Sequence, residues 1–428
     1  MSPPASTTVG LLGYGTVGSA VHRLLSESEQ EIERVTGSAV RVGAALVRDP
    51  SRHPGAPAGL LTTDFAALRD DPAVSVVCEV MGGVDPTRRY VLELLAAGKS
   101  VVSANKQLLS RHGEELFTEA ERNRVQLRFE ASVCAAIPVI KVLRESMIVT
   151  NVHGIDGIVN GTTNFILTRM VQGGAPYAEA LAEAQELGYA EADPTEDVTG
   201  GDAAAKIALL ASVAFHTRVR IEEVDHVGID RLDLADVQHA GDLGYAVKLI
   251  ASTRRVGSEI CARVHPCLLG PDHPLATVEG AFNAVLLQGD SIREVILEGP
   301  GAGGAETATA VIGDLLAVIG TSGTGFLEHD GYYRELGRFG AERLRSACYL
   351  RFCVDDTPGV LAQVATCLAD RGVSVAQVVQ HPAPDGVHIV ILTHVAEEGA
   401  VRSAAERAGA LEFNRQAPVI LPVLARGG

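Results

Sequence analysis

Thr8-Val-Gly-Leu-Leu12-Gly13-Tyr-Gly15-Thr16-Val17-Gly18 decides the fold of this chain. Residues 8–12 are apolar and read as a strand, and residues 17–25 read as a helix. Between them the G-x-G-x-x-G spacing has a physical meaning. Gly13 allows a tight turn, Gly15 lets a pyrophosphate come close to the backbone, and Gly18 lets helix and strand pack tightly. The amides around Thr16, Val17 and Gly18 open the helix, where partial positive charge collects.

Beyond the glycine loop, strands are predicted over 41–47, 74–81, 100–103 and 126–130, with a helix over 86–97. This βαβ rhythm implies a Rossmann-type parallel sheet with helices on both faces. The end of the second strand selects the nucleotide. An acid there binds a ribose hydroxyl, whereas an arginine accommodates a 2′-phosphate. The chain reads Val47-Arg48-Asp49-Pro50-Ser51-Arg52, with Arg48 first after the strand. Arg48 favours NADP, with NAD as the alternative.

From about residue 140 the pattern changes to α+β. Short strands such as 152–159 and 281–287 accompany helices over 177–187 and 202–215. A glycine-rich run, Gly299-Pro-Gly-Ala-Gly303-Gly304, precedes a helix over 307–319 that packs back on the first domain. Residues 321–346 read as a connector. The tail has the order βαββαβ: a strand over 350–354, a helix begun by Asp356-Thr-Pro-Gly359, two strands around Pro384-Asp-Gly386, a helix over 398–408 and a strand over 419–423. It reads as a small self-contained plait. The division expected is a nucleotide-binding domain over 1–135 closed by 300–320, a catalytic domain over 136–320, the linker 321–346, and the tail 347–428.

Composition narrows the class. A chain of 428 residues suggests two or three domains, and 46% apolar residues can build large cores. No apolar run reaches the length of a membrane span. The first residues lack the basic start and apolar core of a signal peptide, so the protein is expected in the cytoplasm. A net charge of −17 argues against nucleic acid and anionic membranes as partners. The seven cysteines show neither a CxxC pair nor a metal spacing and read as reduced, mostly buried thiols.

The chemistry lies in a second stretch, Ala184-Gln-Glu-Leu-Gly-Tyr-Ala-Glu191-Ala-Asp193-Pro-Thr-Glu-Asp197-Val-Thr-Gly200-Gly-Asp202-Ala-Ala-Ala-Lys206. A loop rich in carboxylates runs into an apolar helix, and Asp202 and Lys206 share one face of it. Buried charges are costly unless paired or used. Hydride transfer to or from an alcohol also moves a proton, and burial lowers a lysine pKa toward neutrality, where it can carry that proton. Lys206 is one candidate. Lys106, in Ser103-Ala-Asn105-Lys106 at the C-terminal end of a parallel strand, is the other. The acids Glu191, Asp193, Glu196, Asp197 and Asp202 suit a substrate ammonium group. Asn160-Gly-Thr162-Thr-Asn164 offers polar donors for a carboxylate and also reads as a helix cap.

Taken together, these segments resemble homoserine dehydrogenase along nearly the whole chain. The resemblance implies oxidation of L-homoserine to L-aspartate 4-semialdehyde. Physiologically the reaction runs in reverse with NADPH, in threonine, isoleucine and methionine biosynthesis. It implies Lys206 as proton donor to the aldehyde oxygen, with Lys106 near the nicotinamide and the reacting oxygen. Glu191 and Asp202 would hold the substrate amine, supported by Asp197, with Asn160 and Thr162 also at the substrate. Ser103 would line the cofactor site, which Gly303 approaches from the second domain. A monovalent cation, usually sodium, is implied at Glu130, Val133, Ala135 and Ile137. Here the chain departs from the family, reading Cys134-Ala135-Ala136 where glycine is usual, and it has Glu306 where proline is common. The tail from about Ala347 resembles an ACT domain, through Asp355-Asp-Thr-Pro-Gly359-Val-Leu. That implies threonine as feedback inhibitor and self-association into a homodimer or homotetramer.

Two other readings compete. A thioester-type semialdehyde dehydrogenase would need a nucleophile, and Cys134 is the candidate, although its apolar neighbours would raise its pKa. A non-catalytic nucleotide and amino-acid sensor would use the same glycine loop and tail, but gives no reason for Asp202 and Lys206.

Overall fold

The computed structural model describes residues 6–320, 335–383 and 386–425. The first elements are β1 (Ser6–Leu12), α1 (Thr16–Glu27), α2 (Glu29–Thr36), β2 (Ala39–Leu46), β3 (Leu61–Thr62), α3 (Ala66–Arg69), β4 (Val74–Glu79), α4 (Thr87–Ala96), β5 (Ser100–Ser103), α5 (Lys106–Arg122), β6 (Leu127–Arg128) and α6 (Val139–Lys141). There follow β7 (Val152–Ile158), α7 (Gly161–Gly173), α8 (Tyr177–Glu186), α9 (Thr195–Val198), α10 (Gly201–Phe215), β8 (Asp225–His226), α11 (Leu234–Asp242), β9 (Ala246–Val256), β10 (Glu259–Leu269), β11 (Phe282–Gly289), β12 (Arg293–Pro300) and α12 (Gly304–Gly320). The last are β13 (Gly337–Arg338), β14 (Arg345–Val354), α13 (Val360–Ala369), β15 (Val375–Ala383), β16 (Gly386–Thr393), β17 (Ala396–Glu397), α14 (Glu398–Gly409) and β18 (Val419–Leu424).

The chain divides into two compact units. The first comprises Met1–Val152, Ala208–Ile221 and Leu297–Glu335. Its sheet has the order β3-β2-β1-β4-β5-β6, and every pairing is parallel. The order reverses between β1 and β4, which opens a crevice at the carboxyl ends of those strands. Val9, Leu11, Val21 and Leu25 form the core together with Val311, Leu315 and Val318 of α12. Helix α12 packs on α1, as the sequence predicts. Gly303 and Gly304 therefore belong to the same unit as the glycine loop, not to a second domain approaching it.

The second unit comprises His153–Ile207, Glu222–Ile296 and Leu336–Gly428. One long sheet runs β12-β11-β7-β9-β10-β18-β14-β16-β15. The two central strands, β9 and β10, have 11 residues each and pair antiparallel along their whole length. They are longer than the short strands expected there. Ile158, Ile250, Leu269, Leu275 and Leu286 fill one core beside this sheet. The tail shows the predicted βαββαβ order, with the short β17 added, around Leu350, Phe352, Val364, Leu368, Ile389, Ile391, Val401 and Ala405.

The tail is not free-standing within its unit. β18 pairs in parallel with the end of β10, at Leu268↔Val423 and Leu269↔Leu424. An open β18 edge would leave backbone groups unpaired, and β10 takes them up. Of the predicted linker, residues 321–334 lie outside the described residues, while β13 pairs with β10. The hairpin positions Pro384 and Asp385 also lie outside the described residues, between antiparallel β15 and β16.

Candidate active site

In the first unit a cavity of about 520 Å³ occupies the switch-point crevice. Gly13, Gly15, Arg48, Met81, Gly82 and Gly83 are among its lining residues. The three loop glycines have different physical reasons. Gly13 has φ +103°, and a Cβ there would meet the Met81 backbone at 2.9 Å. At Gly18 a Cβ would stand 2.3 Å from the Gly13 carbonyl oxygen. At Gly15 it would meet nothing within 4 Å. Gly13 and Gly18 are thus demanded by the fold, whereas the bare face of Gly15 looks onto open space. Gly303, at φ +136°, leads into α12, and a Cβ on Gly304 would meet Thr16 Cγ2 at 2.7 Å.

The nucleotide-selecting turn is resolved by hydrogen bonds. Asp49 accepts from the Ser51 amide at 3.0 Å and the Ser51 hydroxyl at 2.6 Å, capping a short 3-10 turn. These bonds hold its carboxyl below the usual aspartate range. Arg48 is exposed on the rim of the cavity. The acid is engaged locally, and the arginine faces the site.

The sequence reading missed Glu79. This residue ends β4, is fully buried, and accepts from the Ser103 hydroxyl at 2.6 Å and from the Met81 and Gly82 amides at 3.1 and 3.2 Å. Burial raises its pKa. Ser103 Oγ in turn accepts the Asn105 amide. Asn105 caps α5 through the Leu108 amide and donates to the Gly83 carbonyl. Ser103 and Glu79 therefore shape the 81–83 wall of the cavity, and Lys106 is the first residue of α5. Tyr14, His53, Thr63 and Tyr90 also line the cavity and carried no signal in the sequence.

The predicted cation loop also lies in this unit. Glu130 is buried and accepts the Ile140 and Lys141 amides at 2.8 and 2.7 Å. Its own amide donates to buried Asp314. Burial, and then the Asp314 charge, push the Glu130 carboxyl up to about 7. Val133, Cys134, Ala135 and Ile137 are all buried. Ala135 has φ +44°, a conformation costly for any residue but glycine. A cavity of about 20 Å³ beside Glu130 and Asp314 has room for one water-sized ion.

The second unit holds the charged pair. Helix α10 is buried along nearly all its length, as its composition predicts. Asp202 Oδ2 and Lys206 Nζ are 2.8 Å apart, with their side chains 4% and 11% exposed. Lys206 also donates to the Val159 carbonyl at 2.7 Å. An ammonium has three donors, so one remains for a substrate oxygen. Asn160 ties the acids together, donating to Asp202 at 2.9 Å and to Asp197 at 2.7 Å. Its Oδ1 accepts the Thr163 amide and caps α7. The cap reading of this segment therefore holds for Asn160, while its side-chain amide is engaged by the two acids. Thr162 donates instead to the Tyr189 carbonyl, and Asn164 to the carbonyls of Val278, Gly280 and Phe282. Glu191 and Glu196 are exposed, and Asp193 caps the Thr195 amide.

A glycine-loop nucleotide crevice, and a lysine buried against its own carboxylate, are the equipment of a nicotinamide-dependent oxidoreductase. Comparison with known proteins is specific. Residues 13–130 match the model of the homoserine dehydrogenase NAD-binding domain, 138–316 that of homoserine dehydrogenase, and 349–413 that of the ACT domain. A homoserine dehydrogenase of Corynebacterium glutamicum is 42% identical over 403 residues, covering 92% of this chain and 91% of that one. The crystal structure of a homoserine dehydrogenase from Thiobacillus denitrificans superposes with a TM-score of 0.94 at 38% identity, over 99% of both chains. A hyperthermophilic archaeal homoserine dehydrogenase in complex with NADPH matches with a TM-score of 0.63 at 29% identity, over 73% of this chain and 97% of that one.

The chain belongs to the homoserine dehydrogenase family. It is an NAD(P)-dependent oxidoreductase of amino-acid biosynthesis, with L-homoserine and L-aspartate 4-semialdehyde as its substrate pair and an ACT domain at its C-terminus.

Proposed function

We propose that Lys206 is the acid/base of the reaction. Bound nicotinamide supplies or accepts the hydride at the substrate carbon. Lys206 Nζ then gives its remaining proton to the aldehyde oxygen, or takes one from the alcohol. The observation that carries this reading is the Asp202–Lys206–Val159 arrangement, which fixes the ammonium and leaves one donor direction. Lys106, following Ser103 at the end of β5, is proposed beside the nicotinamide as the second lysine near the reacting oxygen. Asp202, Asp197 and Glu191 offer carboxylates to the substrate amine. Asn160 holds the first two in register, and Thr162 acts through the Tyr189 segment.

The cofactor is proposed to lie along Gly13, Gly15, Thr16, Val17 and Gly18, with Ser103 and Gly303 completing its site. NADP is preferred because Asp49 is engaged with Ser51 while Arg48 lines the rim. A monovalent cation such as sodium fits the Glu130 loop, with the carbonyls of Val133, Ala135 and Ile137 as further oxygens. The raised Glu130 carboxyl beside buried Asp314 is a site that positive charge would relieve.

We further propose threonine as the ACT effector, a homodimer or homotetramer, and a cytoplasmic location. Phe282 and Ile296, on β11 and β12, are 48% and 42% exposed and support self-association. Among the described residues no helix is long and apolar enough to cross a membrane. The functional division proposed remains 1–135 with 300–320, 136–320, and 347–428. Assaying homoserine oxidation with NADP and with NAD, each with and without threonine, tests the set. Faster turnover with NADP, narrowed in Arg48→Ala, and inhibition by threonine are expected. NAD preference, or indifference to threonine, would remove the corresponding proposal.

A further inference from the structure

Helix α11 and the β15–β16 hairpin bring three histidines together. His381 and His388 are directly opposite in the antiparallel ladder, so their side chains share one face of the sheet. His239, on α11, stacks on His381 with ring centroids 4.3 Å apart and an interplanar angle of 20°. It meets His388 edge-on at 5.4 Å, with His239 Nε2 and His388 Nδ1 3.1 Å apart. Asp242 lies three residues further along α11, on the same side of its last turn. His239, Asp242 and His381 each offer one ligand atom, and these atoms all lie within 4.8 Å of one another.

Two features single out this cluster from ordinary packing. His239 is 9% exposed, yet its Nδ1 is buried without a hydrogen-bond partner. A tautomer that donates from Nε2 to His388 leaves a lone pair on Nδ1, the arrangement in which an outer-shell partner orients a metal-binding imidazole. The helix is also anchored one turn earlier. Asp236 is fully buried and accepts from Arg351 of β14 at 2.5 and 3.1 Å. That ion pair presses α11 against the sheet that carries His381 and His388.

We propose that His239, Asp242 and His381 form a binding site for a borderline divalent cation of the zinc class, with His388 orienting His239. Two imidazoles and a carboxylate suit zinc, cobalt or nickel rather than calcium or magnesium. In a tetrahedral zinc site, ligand atoms stand about 3.4 Å apart. Closing the group from its present spread therefore needs the half-buried His381 ring to turn out of its stack on His239, so that both imidazole lone pairs converge, and the exposed Asp242 side chain to swing in. A bound ion would pin the regulatory hairpin to α11 of the same unit. The inference does not depend on the chemistry assigned to Lys206.

The test uses the full-length chain, freed of metal by chelation and titrated with Co²⁺ while visible absorption is followed, then with Zn²⁺ in competition. One equivalent of Co²⁺ per chain, displaced by Zn²⁺, is expected. Asp242→Asn and His381→Gln are each expected to weaken it at least about tenfold, with homoserine oxidation and far-ultraviolet circular dichroism unchanged. Substoichiometric uptake by the wild-type chain would overturn the proposal. So would stoichiometric uptake that neither substitution weakens.

Discussion

The nucleotide crevice of the first unit and the lysine pocket of the second are made of different materials. The crevice is backbone: glycines at 13, 15 and 18, and amides of the 81–83 wall held by a buried carboxylate. The pocket is side chain: an ammonium, two carboxylates and an amide joined by bonds of 2.7 to 2.9 Å. A site of backbone tolerates few changes of shape but many of charge. A site of buried charge has the opposite sensitivity, because each member neutralises another.

The largest effect is expected where that neutralisation is broken. Asp202→Ala leaves Lys206 buried without its carboxylate and should destabilise the fold by about 3–5 kcal/mol, with the KM for homoserine raised. Denaturant unfolding of the variant measures it. A cost near zero would show that Lys206 does not rely on Asp202.

Glu130 carries the next prediction, in the first unit. Its folded pKa, about 7, lies above the ordinary 4.5, so the folded chain keeps a proton that the unfolded chain releases. Its contribution is fully present below about pH 4.5 and is lost as pH rises toward 7, by up to about 3 kcal/mol. Melting curves across that range in choline chloride should show the decline, and Glu130→Gln should flatten it. Replacing choline with sodium should flatten it in the wild type if the loop binds the ion.

Smaller effects separate the glycines. Gly18→Ala forces a methyl against the Gly13 carbonyl and should cost about 1–3 kcal/mol in stability. Gly15→Ala has room for its methyl and should leave the melting temperature nearly unchanged while weakening NADPH binding. Equal losses of stability in both would erase the distinction between fold-required and cofactor-required glycine.

What the sequence made legible follows the same division of materials. The glycine spacing revealed the crevice because Gly13 and Gly18 have local steric reasons, and Asp202 with Lys206 was visible because four residues make about one helical turn. Glu79 was not visible. A lone acid at the end of an apolar strand acquires meaning only when Ser103, Met81 and Gly82 fold around it. The pairing of β18 with β10 and the meeting of His239 with His381 and His388 are long-range events with no local signature. Thr162 lay in a motif read as polar donors for a substrate carboxylate, and its hydroxyl binds the Tyr189 carbonyl. A motif gives residue types, whereas the direction of a hydroxyl is set by packing. Glu191 shares the acidic loop but is exposed, and the sequence alone does not distinguish it from Asp197 and Asp202, which Asn160 joins.

The most direct test of the central claim compares Lys206→Ala with the wild-type chain in NADPH-linked reduction of L-aspartate 4-semialdehyde, with NADPH binding measured separately by fluorescence. If Lys206 moves the proton, kcat falls by at least about 10²-fold while the Kd for NADPH is unchanged. Turnover at the wild-type rate in Lys206→Ala would contradict the account.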